Sequence, residues 1–388
     1  MNATDDPPAR QSDGPAAERR PIGRRALLLG GAAVALGAGG YAVARANRAR
    51  PGDVRWSYTG IRAAPSLTGK VLVGTGGGVT ALNRADGRER WNFSNNTTDS
   101  IPGAWDPSFT PAAGDGTVVV AYRSPHLVAF DPGSGKVVWS YAATGDQSFA
   151  TAPVRDGGTV VAVARSDRAG ATVLHGVDTA SGSRRWTLAL GDVETSTPAL
   201  AAGRVWLSRA NSRSAPGATA GEEWLAVDAA SGVVALTLPG AVEFTKPAAL
   251  ASGDRVFFLV DRNLVAMQAR TGTVDWVVSA PLDPTTGLAG DQTVLVVLGH
   301  DGGLRALDPH NGRRLWEFTE TKVTGVPAVS DGSVYAPAAG GQLLILSAKS
   351  GTRSAAYRAG TKDLTGPPVI TDDSILVTDG DTLRSIVR

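Results

Sequence analysis

Carboxylates and hydroxyls recur in pairs along this 388-residue chain, an acid followed within a few residues by Ser or Thr. The pairs are Asp106 with Ser108, Asp146 with Thr151, Asp192 or Glu194 with Thr195, Glu243 with Thr245, Asp283 with Thr285, Glu317 or Glu320 with Thr324, and Asp363 with Thr365. Gathered on one face, these oxygens would form an acidic, hydroxyl-lined funnel suited to a cation, a sugar or a basic peptide. Trp105, beside Asp106, would add a flat platform, and Arg62 and Lys246 are the nearest basic residues. The candidate ligand face is therefore Arg62, Trp105, Asp106, Asp146, Thr151, Lys246 and Asp283. The same residue types also serve as ordinary solvated loop residues, with Thr capping backbone groups where strands begin.

Other chemistry finds little support. The chain has no cysteine, which excludes disulfides, thiolate ligands, a catalytic thiol and a lipidated cysteine anchor. His126, His175, His300 and His310 read as belonging to four different repeat units, with no metal-ligand spacing among them. Gly74 to Gly78 is glycine-rich but has no helix after it to hold a phosphate, so it reads as a hairpin turn. Asp379-Gly380-Asp381 resembles half a calcium loop yet lacks the downstream Glu. No catalytic, cofactor-binding or metal-binding residue is assigned.

The elements that must carry these side chains come from a repeated frame, Ala-Φ-Asp-x-x-Ser/Thr-Gly-x-x-x-Trp, where Φ is a large apolar residue. Trp56, Trp91, Trp139, Trp186, Trp276 and Trp316 each stand four residues after a glycine. Ala81-Leu82-Asn83, Ala129-Phe130-Asp131, Gly176-Val177-Asp178 and Ala306-Leu307-Asp308 open four copies. A fourth-position copy has Leu236 in the tryptophan slot, and the last is worn to Ile345-Leu346-Ser347 with Ala355 there. A period of roughly 40–50 residues fits a propeller blade or a two-helix repeat. Short runs such as Thr117 to Tyr122 and Arg255 to Val260, bounded by Gly, Asp and Asn, are strand patterns. Each unit reads as four antiparallel strands, A to D, with the Ser/Thr-Gly pair turning C into D and the tryptophan on D.

The chain ends complete one another. Gly52 to Trp56 is a D strand with no C strand before it, and Leu383 to Val387 is a C strand with no D strand after it. Joined, they make an eighth blade and leave no long exposed edge. The expected fold is all-β: an eight-bladed propeller of four-stranded antiparallel blades, closed by an N-terminal strand in the C-terminal blade. In this topology the D-to-A and B-to-C connections share one face. That face carries the long loops, Asn92 to Pro107 and Ser208 to Glu223, and the acid–hydroxyl pairs.

The frame resembles the pyrroloquinoline quinone (PQQ) repeat family over residues 52–388, and the resemblance implies that the tryptophans dock between neighbouring blades. That fold serves both catalysis and pure binding. Its dehydrogenases hold PQQ and calcium on the propeller axis, often under a disulfide that this chain cannot form, and carry inserts this chain lacks. The chain is more similar to the non-catalytic, BamB-like branch, although the BamB lipoprotein anchor is missing. No cofactor is expected; PQQ and Ca²⁺ belong to the alternative of a minimal alcohol or sugar dehydrogenase. A carbohydrate-binding or sensor module is a second alternative.

The first 50 residues hold eight Arg and four acids, leaving 30 basic and 32 acidic residues, a net of −2, for the rest. Without a basic, aromatic-lined face, nucleic acid is not an expected partner. Residues 1–25 form a basic leader ending in Arg24-Arg25, 26–44 an apolar segment, 45–51 a linker and 52–388 the propeller. The leader resembles a twin-arginine export signal. Ala42-Val43-Ala44 or Ala44-Arg45-Ala46 would serve as the cleavage site. Uncleaved, residues 26–44 are just long enough to anchor the chain in a membrane. The expected location is outside the cytoplasmic membrane, and the expected function is a non-catalytic scaffold for an envelope protein or peptide, with a glycan as the other candidate ligand.

Overall fold

A computed structural model describes residues 35–36, 40–43, 49–94, 109–122, 124–166, 168, 170–211, 223–239, 249–260, 263–279 and 287–388. The described residues fall within one compact unit, Val34–Arg388. They contain strands and turns and no helix. Eight antiparallel sheets follow one another along the chain. Blade 1 shows the pattern: Ser66–Thr68 is strand A, Val71–Thr75 is B, Gly78–Asn83 is C and Glu89–Ser94 is D. Blade 8 takes A, B and C from Leu364–Ile370, Ser374–Asp379 and Thr382–Val387, and its D strand, Val54–Thr59, from the other end of the chain. The pairing Trp56↔Ser385, Ser57↔Arg384 and Tyr58↔Leu383 closes the ring. The protein is an eight-bladed β-propeller.

A strands of successive blades lie against one another from blade 1 to blade 8, which places them innermost and the D strands on the outer wall. Blade packing explains the hydrophobic pattern. Strands B and C are covered on both faces by neighbouring blades, so Val71–Thr75 is buried throughout, whereas Val137–Ala142, a D strand, alternates buried and exposed after its first two residues. Each apolar cluster accordingly spans two blades; one joins Val296 and Trp316 of blade 6 to Val334 and Leu344 of blade 7.

The repeated glycine is required by the C-to-D turn. In blade 2, Gly135 has φ +73° and its N–H donates to Asp131 O at 2.8 Å, while the Asp131 carboxylate accepts from Ser134 N at 2.7 Å. Only glycine takes this left-handed conformation without strain, and the Asp side chain satisfies a turn amide that no strand reaches. The same glycine has a second duty, because a Cβ on Gly135 would sit 2.6 Å from the Trp91 ring of blade 1. Trp91 Nε1 in turn donates to Pro132 O, in that same turn, at 2.9 Å. Trp56, Trp139, Trp186, Trp276 and Trp316 repeat both contacts with the next blade, donating to Arg84, Thr179, Ala229, Pro309 and Ala348 carbonyls at 2.7–3.1 Å.

Two details depart from the sequence reading. His300 and His310 both belong to blade 6, one after strand B (Leu295–Leu298) and one before strand D (Arg314–Phe318), so the four histidines occupy three blades. They sit at opposite ends of that blade because strand C, Leu304–Leu307, separates them. In addition, Gly40–Val43 of the apolar leader segment pairs antiparallel with the outer edge of Val54–Thr59, and Ala35–Leu36 pairs beyond it. The rest of the leader lies outside the described residues.

Candidate functional site

The inner strands are interrupted at their loop-face ends. In blade 3, strand A is split into Gln147–Phe149 and Val154–Asp156, so that residues 150–153 stand opposite only Ala162 and Val163 of strand B. Residues 62–65 in blade 1 and 324–327 in blade 7 likewise oppose two partner residues, and 196–198 in blade 4 oppose Leu207 and Ser208. Every one of these bulges ends on a proline: Pro65, Pro153, Pro198 and Pro327. Proline has no N–H for the ladder, so the bulge closes where a donor would otherwise be lost. At its start, Arg62 N and Ala63 N share Thr75 O, and Thr324 N and Gly325 N share Pro337 O.

The bulges decide which predicted residues reach the loop face. Arg62 is exposed in the blade 1 bulge, and its N–H is held by Thr75 O at 2.9 Å. Thr151 lies in the blade 3 bulge, 7% exposed, with no partner for its hydroxyl among the described residues. A cleft of about 230 Å³ between blades 3 and 4 brings together Thr151, Arg165, Glu194 and Thr195 over an apolar floor of Val163 and Val193. Trp105, Asp106, Lys246 and Asp283 lie outside the described residues.

Several acids of the proposed funnel have structural partners. Asp146 accepts from Ser166 Oγ at 2.8 and 2.9 Å and from Arg168 N at 3.1 Å, and the Ser166 hydroxyl is the main reason its carboxyl is held below the usual range. Asp192 lies 3.6 Å from Arg165, Glu317 pairs with Arg305 at 3.1 Å, and Asp363 accepts from Gly340 N at 2.8 Å. Asp146, Asp192 and Asp363 fasten D-to-A connections, whereas Glu317, expected in such a connection, lies within strand D of blade 6 and pairs across the ladder with Arg305 of strand C. Glu194 and Thr195 remain as polar side chains turned to the cleft.

Among the described residues there is no cluster of three His, Asp or Glu side chains that would hold a metal ion. Asp379, from the half calcium loop, is buried and accepts from Thr361 N at 3.0 Å, Lys362 N at 3.2 Å and Arg384 Nη2 at 3.1 Å. His175, which sequence reasoning passed over, is buried between blades 2 and 3. Its Nδ1 lies 2.9 Å from Tyr141 Oη and its Nε2 3.0 Å from Gln147 Oε1. Gln147 Oε1 only accepts, so Nε2 carries the proton and Nδ1 receives the tyrosine's. Burial, with the Arg184 charge adding to it, lowers this histidine's pKa to about 4. It is a neutral structural link between blades.

The fold defines a propeller of eight antiparallel blades closed by the pairing of the two chain ends. The family model described as "Outer membrane protein assembly factor BamB" matches residues 75–235 and 170–383, and the chain belongs to that family. Among solved structures, BamB from Moraxella catarrhalis is 18% identical with a TM-score of 0.58, covering 86% of this chain and 98% of its own. Quinohemoprotein alcohol dehydrogenase from Comamonas testosteroni is 13% identical with a TM-score of 0.67, covering 86% of this chain and 76% of its own. The computationally designed Ika8 protein is 15% identical with a TM-score of 0.65, covering 85% of this chain and 96% of its own. At these identities the likeness is one of fold. No curated protein matches the sequence.

Proposed function

We propose that this chain is an extracytoplasmic, non-catalytic propeller that binds an envelope protein or peptide on its loop face and acts as an assembly scaffold. The observation that carries this reading is the use of the loop-face acids: Asp146, Asp192 and Asp363 pin connections in place, while the proline-ended bulges hold Arg62 and Thr151, and the paired strand before the blade 4 bulge holds Thr195, at the loop face. A surface ordered before binding loses little entropy when a partner arrives, so contacts convert efficiently into affinity. Membership of a family described by outer membrane assembly supports a protein partner. Arg24-Arg25 and the apolar segment 26–44 support export, with the propeller either released by cleavage or held by that segment.

Site-specific photo-crosslinkers at Arg62 and Thr195 in living cells test the proposal. The reading expects one discrete envelope adduct from both positions and none from a position on the opposite face, such as Ser350. Purified protein mixed with PQQ and calcium provides the opposing test: saturable quinone binding with alcohol- or sugar-driven dye reduction overturns the scaffold. Export is checked separately by replacing Arg24 and Arg25 with Lys, which should leave the protein in the cytoplasm.

A further inference from the structure

Outer D strands are edge strands, and the blades protect them unequally. At the second position after the frame glycine, blades 1, 3, 6 and 7 place a charge: Glu89, Arg184, Arg314 and Arg353. Charges on an edge discourage another strand from adding to it. Blades 2, 4 and 5 place Val137, Val234 and Val274 there, and of these only blades 4 and 5 are adjacent, so that two such edges stand side by side. Val233 is 62% exposed and Val277 53%, and large apolar side chains are seldom left so open in neighbouring strands without a reason. The single charge on these two strands, Asp275, is consumed internally by Arg255 Nε at 2.7 Å and Gln268 Nε2 at 3.1 Å. Among the described residues no strand pairs with the outer edges of Val234–Pro239 and Val274–Ser279, two neighbouring edges with exposed valines.

The molecule itself shows what seats on such an edge. On blade 8, whose equivalent position is Val54, the uncharged segment Gly40–Val43 adds antiparallel to the D strand, with Tyr41↔Tyr58, Ala42↔Ser57 and Val43↔Trp56 as partners. We infer that the outer wall of blades 4 and 5 is a second docking surface, which captures an extended, uncharged, β-branched segment of a partner protein by strand addition. Backbone hydrogen bonds would supply the affinity, and the valines would select apolar side chains on one side of the incoming strand. A six-residue edge accepts a strand of about 20 Å. This surface is separate from the loop face, so it stands or falls independently of the function proposed above.

The test uses the full chain and a blocked peptide, Lys-Thr-Val-Thr-Val-Thr-Val-Lys. Saturable binding is expected, with slowed amide exchange in Val234–Pro239 and Val274–Ser279 and not in the charged edges Arg184–Gly191 or Arg353–Arg358. The double variant Val234→Lys and Val274→Lys introduces at exposed positions the guard used by blades 1, 3, 6 and 7, so it should fold normally and weaken binding at least about tenfold. A peptide N-methylated at alternate residues should not bind, because it cannot extend the ladder. Equal binding by the double variant or by the methylated peptide overturns the inference. So does protection spread evenly over all D strands. A dimer that the lysines dissociate would assign the wall to a second copy, and lysine-sensitive flotation with phosphatidylglycerol vesicles would assign it to a membrane; either result also overturns it.

Discussion

The boundary between blades 2 and 3 and the boundary between blades 7 and 8 solve the same packing problem with different parts. At the first, Trp139 presses on Gly182, whose Cβ would lie 2.7 Å from the ring, and donates to Thr179 O at 2.9 Å. At the second, the tryptophan slot holds Ala355, and Tyr357, two residues further along the strand, covers Gly52 instead. The turn containing Gly52 is assembled from two distant chain segments: Gly52 N donates to Val387 O at 2.9 Å and Val387 N to Asp53 O at 2.8 Å. A repeated sequence specifies repeated boundaries, whereas the closing one is built from non-repeating residues. The boundary between blades 4 and 5 falls between them. Leu236 fills the tryptophan slot against Gly272, and Arg204 Nη1 reaches the turn carbonyl that an indole would have served, Ala269 O, at 3.3 Å.

If the comparison is right, the regular boundary loses most when its tryptophan goes. Trp139→Ala should cost about 3–5 kcal/mol in urea unfolding, the range for removing a large buried aromatic, and Tyr357→Ala only about 1–2 kcal/mol at the closing boundary. Equal losses would erase the distinction between them.

Acid titration should also single out the boundary between blades 2 and 3. His175 has its pKa lowered from 6.5 to about 4 by burial, so the unfolded chain takes up its proton first as pH falls. Stability from this group is therefore whole above pH 6.5 and is lost between pH 6.5 and 4, by up to about 1.4 kcal/mol per pH unit. His175→Gln should flatten that stretch of the urea-midpoint profile. An unchanged slope would move the cause to another group.

The smallest expected effect belongs to the intermediate boundary. Arg204→Met keeps the aliphatic stem but removes the donor to Ala269 O, and should cost about 1 kcal/mol, one hydrogen bond's worth. No change would mean that water serves that carbonyl equally well.

Much of this was legible in the sequence because one set of residues does two jobs. The frame glycine fixes the turn and receives the neighbouring tryptophan, so its spacing exposes both the strand order and the blade boundaries. Closure by Val54–Thr59 followed from unmatched half-blades at the two ends. The site was harder to read. Asp146 looked like a free ligand because its partner, Ser166, is twenty residues away and on no recognisable pattern. The bulges had a signal in Pro65, Pro153, Pro198 and Pro327, but proline marks a missing donor and not the number of extra residues. Arg204 carries no signal at all, since its role exists only because Leu236 replaces tryptophan in the same blade.

Hydrogen exchange of the strand Val54–Thr59 tests ring closure most directly, because a scaffold face is rigid only if the circle is sealed. With Trp56 fully buried against blade 1 and the strand paired to Thr382–Val387, its amides should exchange as slowly as those paired in Val137–Ala142, with residues at the blade 7 boundary opening first. Exchange of Val54–Thr59 at the rate of an unpaired edge would contradict the closed ring.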